Sequence, residues 1–225
     1  MTRGVFVTGT DTGVGKTWVG RALGRALSAA GRRVVAIKPV ETGCSDATAA
    51  TEDAALLAAA TGQAEPVAAL HRLEIPIDPA LAAERAGETI DLDALVLRLE
   101  SLSEGAEVVL IEGAGGLLSP ITWEWTVVEL ARTLGATALV VGADRLGVIN
   151  HALLTLSALE LAGIEVAGVV LTPPATPDDS TGANAAAIAR LAGIDRVIVL
   201  PRMTDPFAAA EAVAPILEWM TAPTA

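Results

Sequence analysis

The chain has 225 residues, of which 52% are hydrophobic and 19% charged, and it carries a formal net charge of −12. This apolar share can build a buried core and excludes disorder along the whole chain, while the acidic charge opposes binding to nucleic-acid phosphates. The one cysteine cannot form an intrachain disulfide, and the sequence shows neither a transmembrane run nor a secretory signal. We therefore expect a cytoplasmic protein that binds neither nucleic acid nor membranes.

Strand-like and helix-like segments alternate along the chain. Short apolar runs without polar alternation are typical of strands buried on both faces, and they span residues 5–8, 34–37, 108–111, 138–141, 166–171 and 197–200. Helical patterns cover residues 17–30, 53–60, 92–102 and 206–220, and another helix opens in the segment from residue 146 and runs through residue 161. This order predicts one α/β domain over residues 1–225, with a doubly wound, mostly parallel sheet and helices on both faces.

A glycine-rich loop between the first strand and the first helix carries the strongest chemical signal. It reads Gly-Thr-Asp-Thr-Gly-Val-Gly-Lys-Thr over residues 9–17. The N–H groups of such a loop and of the following helix form a cradle for phosphate oxygens, while the lysine neutralises phosphate charge and the last threonine ligates Mg²⁺. The residues expected to bind ATP here are Gly13, Val14, Gly15, Lys16 and Thr17. The alternative is an ordinary glycine-rich turn with a surface lysine.

Two carboxylates are placed to complete a magnesium site with Thr17. Glu112 ends the third strand-like run, at the edge where open α/β sheets bind ligands, and Asp53 begins a helical segment. Mg²⁺ prefers hard oxygen ligands, so Thr17, Asp53 and Glu112 are the expected metal ligands. Three alternatives stay open: Glu112 as the partner of a basic residue, Asp53 as a helix-dipole residue, and Glu52 as the ligand in place of Asp53.

A second lysine, Lys38, closes the second strand-like run at the same edge of the predicted sheet. A lysine in this position can stabilise negative charge on a reacting oxygen during phosphoryl transfer. A solvent-facing lysine at a strand end is the alternative.

Four motifs taken together resemble the dethiobiotin synthetase family of phosphate-loop NTPases. They read Gly-Thr-Asp-Thr-x-Val-Gly-Lys-Thr, Lys-Pro-Val-x-Thr-Gly, Glu-Gly-Ala-Gly-Gly and Leu-Gly-Val-Ile-Asn-His, and they follow the family's order over residues 5–201. The resemblance implies an ATP- and Mg²⁺-dependent ligase of biotin biosynthesis that makes dethiobiotin from 7,8-diaminononanoate and CO₂ or bicarbonate. It further implies a carbamate, a carbamic-phosphoric anhydride, and ring closure by the second amine with release of ADP and phosphate.

The resemblance also implies roles for single residues. The expected catalytic residues are Lys38, Lys16 and Thr12, with Lys38 stabilising the carbamate. The further residues expected to bind the nucleotide are Asp53, Glu112, Gly113, Ala114, Gly115, Thr172, Leu200 and Pro201. The expected substrate-binding residues are Thr42, Gly147, Val148 and Asn150, the last three at a helix start whose free N–H groups suit a carboxylate. That site would be shared by the two subunits of a homodimer, whereas local helix capping by Asn150 is the alternative.

Two positions depart from the family pattern. Gly13 stands where many relatives carry Glu, and Thr172 stands where relatives often carry an Asn that reads the adenine edge. A threonine hydroxyl cannot reproduce the paired donor and acceptor contacts of an amide, which leaves nucleotide selectivity open. His151 is left outside the catalytic set, and Cys44 is either a small buried hydrophobe or an oxidisable loop thiol.

Three other functions fit parts of the pattern. An amidating synthetase of the cobalamin type shares the synthetase domain but takes ammonia from a glutaminase. A partitioning-type switch ATPase carries an extra loop lysine, where this chain has Asp11. A regulator that binds nucleotide without turnover is the third, and the retained lysines and carboxylates oppose it.

Overall fold

A six-stranded parallel sheet forms the centre of the molecule in the computed structural model, which describes residues 3–201 and 211–221. The strands are β1 (Arg3–Gly9), β2 (Val34–Ile37), β3 (Val40–Thr42), β4 (His71–Leu73), β5 (Val108–Gly116), β6 (Thr137–Ala143), β7 (Val166–Thr172) and β8 (Val197–Val199). The α-helices are α1 (Lys16–Ala29), α2 (Asp53–Thr61), α3 (Pro79–Ala86), α4 (Leu92–Ser103), α5 (Val127–Thr133), α6 (Val148–Leu161), α7 (Asn184–Ala192) and α8 (Ala214–Thr221). The strand order is β2-β5-β1-β6-β7-β8, and β3 pairs with β4 in a separate parallel ribbon.

The sheet separates two hydrophobic cores, as its alternating side chains require. Phe6 of β1 packs into the core that contains residues of α3 to α7, whereas Val5 and Val7 pack into the core that contains residues of α1, α2 and α8. Helices therefore cover both faces of the sheet, and the predicted doubly wound α/β fold is confirmed. Within the described ranges, no helix is long and apolar enough to span a bilayer.

Strand β5 is longer than the sequence pattern predicts. It runs through the glycines to Gly116, which pairs with Gly9 after an irregularity in the β1–β5 register. Glu112 therefore lies inside β5, opposite Val7, rather than at the strand's end. The correction matters because an internal strand position buries the carboxylate among its neighbours.

The sequence pattern also missed several elements. Helices α3, α5 and α7 are short, and the β3–β4 ribbon consists of two three-residue strands. None of these elements is long enough to show a recognisable hydrophobic periodicity in the sequence. The helix predicted over residues 206–220 begins outside the described residues. Where the description resumes, residues 211–213 form a turn, and α8 begins at Ala214.

The order of the strands collects the candidate site at one edge of the sheet. Strand β1 lies between β5 and β6, and the chain leaves β1 through the glycine-rich loop into α1. Connections from the centre of an open sheet diverge to both sides here, which leaves a crevice outside the carboxyl ends of the strands. The loop, the end of β2 and the end of β5 all border this crevice.

The contact between β7 and α8 supplies a test of the packing. A Cβ added to Gly168 would lie 2.5 and 2.6 Å from ring atoms of Trp219 and 2.8 Å from the carbonyl oxygen of Arg196. We expect Gly168→Ala to lower the free energy of unfolding by about 1–3 kcal/mol, because the added methyl group overpacks this contact. Urea denaturation measures the loss.

Gly4→Ala is the matched control, since a Cβ at Gly4 of β1 meets its nearest neighbour, Ala136, at 3.6 Å. That substitution is expected to change the free energy of unfolding by less than about 0.5 kcal/mol. Equal losses in the two variants would show that the close approach of Trp219 does not constrain position 168.

Candidate active site

A cavity of about 330 Å³ lies at the crevice and joins most of the predicted site residues. Its lining comprises Thr12, Gly13, Gly15, Lys16, Thr17, Lys38, Val40, Glu41, Thr42, Asp53, Glu112, Ala114 and Gly115. Residues from the glycine-rich loop, from the segment after β2, from α2 and from β5 thus meet in one place, as the motif order predicted.

Lys38 is the centre of this cavity. Its Nζ donates hydrogen bonds to Glu112 Oε1 at 2.6 Å and to Asp53 Oδ2 at 2.8 Å, and the lysine is only 4% exposed. Burial alone would lower the pKa of Lys38, but the two carboxylates outweigh it and raise that pKa above its ordinary value. The pKa of Asp53 is held below its ordinary value because the Lys38 charge and hydrogen bond outweigh the effect of burial. Lys38 is therefore a buried group whose charged form the two carboxylates favour, and not a solvent-facing lysine.

Glu112 carries the donor atoms for a metal site. Thr17 Oγ1 donates to Glu112 Oε1 at 2.8 Å. The second carboxylate oxygen, Oε2, is buried and has no hydrogen-bond partner among the residues that the structure describes. A buried, unpaired carboxylate oxygen beside a hydroxyl and a second carboxylate fits the hard oxygen donors that Mg²⁺ takes. Thr17, Asp53 and Glu112, the predicted ligands, thus lie around one point, whereas Glu52 is engaged elsewhere, by Arg72.

Lys16 lies in the same cavity but donates to backbone carbonyl oxygens, whereas Lys38 donates to two carboxylates. Its Nζ donates to the carbonyl oxygens of Gly115 at 2.6 Å and Asp11 at 3.1 Å, so it spans the loop without pairing with a carboxylate in the described part of the chain. Burial, with the nearby Lys38 charge, lowers the pKa of Lys16 to about 8. A negatively charged group in the cradle would favour its charged form, which suits a lysine that contacts phosphate.

The glycine-rich loop is supported from below by β7. Thr172 is buried, and its hydroxyl donates to the carbonyl oxygen of Val14 at 2.7 Å. Gly15 caps α1 with φ +93, a conformation that favours glycine, and a Cβ there would lie 2.9 Å from the Thr172 methyl carbon. Val14 and Thr172, both predicted to bind the nucleotide, therefore lie outside the cavity lining and support the loop from behind. Gly13 is exposed at the loop's rim with φ +72.

Several predicted nucleotide residues lie outside the cavity lining. The carbonyl oxygen of Gly113 lies 3.5 Å from Lys38 Nζ, at the back of the site. Leu200 is fully buried in the core of α1, α2 and α8, so its side chain is not open to a ligand. Pro201 is exposed at the end of the first described range. Contact between these residues and a nucleotide stays a prediction.

The predicted substrate-binding helix start is also outside this cavity. Gly147, with φ +97, is the N-cap of α6, Val148 is buried and Asn150 is exposed. The N-cap residue Gly147 has no side chain that could cap the helix, and Asn150 as a local cap stays an alternative. A second cavity of about 450 Å³ runs from Thr10 and Asp11 of the loop along α6, where His151 and Leu154 line it.

Two residues near the site show what motif reasoning missed. Glu41 lines the cavity from the variable position of the Lys-Pro-Val-x-Thr-Gly motif, and a charged residue next to a short apolar run was the one available signal.

Cys44 is buried, and its thiol donates to the Glu41 carbonyl oxygen at 3.4 Å. Of the two interpretations of Cys44, the geometry favours the small buried hydrophobe.

Comparison with known proteins shows the family to which the chain belongs. A family model described as an AAA domain matches residues 3–207. The chain is 42% identical to the "ATP-dependent dethiobiotin synthetase BioD" of Anaeromyxobacter dehalogenans strain 2CP-C, over 96% of this chain and 97% of that protein. It is 36% identical to the protein of the same name from Aquifex aeolicus, over 89% of this chain and 90% of that protein.

Solved structures share the fold at lower identity. The septum site-determining protein MinD of Pyrococcus horikoshii, complexed with Mg-ADP, matches with a TM-score of 0.55 and 17% identity over 97% of this chain and 89% of that one. The cell division protein FtsY of Thermotoga maritima matches with a TM-score of 0.51 and 20% identity, over 99% and 69%. At these identities the likeness shows a shared phosphate-loop fold and nothing of function.

The two buried lysines are expected to differ in their effect on stability. Lys38→Met leaves the buried Glu112 carboxylate and the partly exposed Asp53 carboxylate without their cation and is expected to cost about 3 kcal/mol of unfolding free energy. Lys16→Met removes an ammonium that contacts only carbonyl oxygens, and about 1 kcal/mol or less is expected. Urea unfolding without nucleotide or Mg²⁺ measures both losses. A Lys16→Met loss as large as that of Lys38→Met would contradict the stabilising role of the ion contacts among Lys38, Glu112 and Asp53.

Proposed function

Since the chain belongs to the family of ATP-dependent dethiobiotin synthetases, we propose that it closes the ureido ring of dethiobiotin from 7,8-diaminononanoate and CO₂ or bicarbonate, using ATP. The family makes it an ATP-dependent ligase of biotin biosynthesis. One observation carries the finer proposal: a phosphate-loop lysine, Lys16, and a second buried lysine, Lys38, converge in one cavity. Such a pair can bind a transferring phosphoryl group and the anion that attacks it.

The residues of the cavity can carry out each step of that reaction. An amine of the substrate adds to CO₂ and loses a proton, which forms a carbamate. Lys38 stabilises the carbamate's negative charge, and the carbamate oxygen attacks the γ-phosphorus of ATP as ADP leaves. The second amine then attacks the carbonyl carbon of the resulting carbamic-phosphoric anhydride, which closes the ring and releases phosphate.

The phosphate end of ATP is bound by the loop. N–H groups of the loop and of the first turn of α1 face the phosphates, and Lys16 offsets their charge. Mg²⁺, held by Thr17, Asp53 and Glu112, would neutralise further charge on the phosphate oxygens. Thr12 and Thr42 line the same cavity, and their hydroxyls can hydrogen-bond to the reacting groups.

We further propose that the enzyme is a homodimer whose subunits share the substrate site. The N-terminus of α6, predicted to bind the substrate carboxylate, does not line the phosphate cavity of its own chain, which supports its use by a partner subunit. Leu154 of α6 and Leu118 are 62% and 63% exposed, and both line the second cavity along α6. Clustered exposed leucines are typical of an interaction surface.

The reaction itself is the first test. Purified protein with MgATP, bicarbonate and 7,8-diaminononanoate is expected to yield dethiobiotin, detected by mass, with one phosphate released per product. Omission of any one of the three is expected to abolish product. Lys38→Met is expected to make no product, because the carbamate loses its counter-charge, and circular dichroism establishes that the variant is folded. Phosphate release that does not depend on the diamine would favour the switch ATPase instead.

The shared site predicts a link between assembly and substrate binding. We expect Leu154→Glu to convert the dimer to a monomer in analytical ultracentrifugation and to raise the KM for the diamine about tenfold or more, because it puts a charge into the apolar contact. Leu97→Glu is the matched control, since Leu97 is 65% exposed but lies on α4. A fully active wild-type monomer would refute the shared site.

A further inference from the structure

Glu41 is a buried acid that the reaction described above does not use. It lies in the middle of β3, is 7% exposed, and borders the same cavity as Lys38. Its carboxylate accepts hydrogen bonds from two backbone N–H groups, those of Asp53 at 2.5 Å and Ala54 at 3.1 Å. These are the first two residues of α2, so Glu41 binds the helix N-terminus from a separate element.

The residue that would ordinarily cap this helix is engaged elsewhere. Glu52 is the N-cap of α2, but its side chain makes no cap hydrogen bond in the described structure. Instead its carboxylate accepts two bonds from Arg72, at 2.9 Å from Nε and 2.7 Å from Nη2. The first N–H groups of a helix have no partner within the helix and need one when they are buried. Glu41 supplies that partner.

This arrangement fixes Asp53 from two directions. Glu41 accepts a hydrogen bond from the backbone N–H of Asp53. Lys38, three positions before Glu41, donates a hydrogen bond to the Asp53 side chain at 2.8 Å. The start of α2 is thereby set close to Glu112 of β5 and Thr17 of α1, which are hydrogen-bonded to each other. Burial raises the pKa of Glu41 above its ordinary value, and the two N–H donors counteract part of that rise.

We propose that Glu41 is a positioning residue for Asp53, which sets the carboxylate of Asp53 at the distance from Glu112 and Thr17 that metal binding needs. The inference rests on the proposed function in one respect, that Asp53 is a metal ligand. A group that orients a ligand from behind commonly contributes 10- to 100-fold to metal affinity. Glu41 thus acts through Asp53 and does not touch the reacting atoms.

The test is a Mn²⁺ titration followed by electron paramagnetic resonance, with a non-hydrolysable ATP analogue present. Glu41→Gln keeps the shape of the side chain but offers one acceptor oxygen and turns an NH₂ group toward an N–H donor. We expect its Kd for Mn²⁺ to be about tenfold higher than that of the wild type. Amide hydrogen exchange at Asp53 and Ala54 is expected to be faster in the same variant.

Glu129→Gln is the matched control. Glu129 also accepts a backbone N–H at a helix start, that of Thr126 at 2.7 Å, but at α5. Glu129→Gln is expected to lower the free energy of unfolding by about as much as Glu41→Gln does and to leave the Mn²⁺ affinity unchanged. In steady-state assays, Glu41→Gln is expected to raise the KM for Mg²⁺ while kcat at saturating Mg²⁺ stays within about twofold, a split that general destabilisation does not produce.

Two results would overturn the proposal. One is an unchanged Kd for Mn²⁺ in folded Glu41→Gln, and the other is a wild type that binds no Mn²⁺ with the nucleotide. If Glu41→Gln does not fold, Glu41→Asp keeps the charge on a shorter side chain and is expected to weaken Mn²⁺ binding as well. The outcome is separate from that of the proposed function: a Glu41-dependent Mn²⁺ site in a protein that makes no dethiobiotin supports the first and refutes the second.

Discussion

The contact of the Lys38 ammonium with Glu112 and Asp53 is the interaction on which the site depends. A buried charge is costly unless it is paired, and two carboxylates at close range repel each other unless a cation lies between them. Because Lys38 follows β2, Glu112 lies in β5 and Asp53 begins α2, the ion contacts fix how the three elements meet. The cluster is not itself a source of positive charge, since one lysine faces two carboxylates. Lys16, which donates to backbone carbonyl oxygens, is the cation at the crevice that a phosphate can meet in a chain of net charge −12.

The sequence predicted those parts of the protein that local chemistry specifies. The strands at the centre of the main sheet were predictable because strands buried on both faces leave uninterrupted apolar runs, and the edge strand β8 keeps such a run although it is partly exposed. The loop over residues 9–17 was predictable because phosphate binding needs glycines and a lysine in a fixed order. Glu41 could not be predicted, since its partners are backbone N–H groups 12 and 13 positions away, and a side chain's bond to backbone leaves no trace in residue types. The burial of Leu200 and the placement of Glu112 within β5 depend on strand register, which apolar runs do not reveal.

Fold and family carry different information about this chain. The likeness to MinD extends over most of both chains at 17% identity, and it shows a shared fold. The relatives at 36% and 42% identity match nearly their whole length. In the sequence, Asp11 stands where the switch ATPases carry an extra loop lysine. Under the proposed function the common sheet is a scaffold, and the chemistry lies in the loop after β1, the segment after β2, the start of α2 and the carboxyl half of β5.

The packing of Thr172 against the glycine-rich loop has an evolutionary consequence. Its methyl carbon lies 2.9 Å from where a Cβ of Gly15 would be, and its hydroxyl is bonded to the Val14 carbonyl oxygen. A side chain at position 15 would therefore meet Thr172 as well as a backbone conformation that favours glycine. The two positions are epistatic, because what position 15 tolerates depends on the residue at position 172. A lineage that carries threonine at position 172 therefore keeps glycine at position 15.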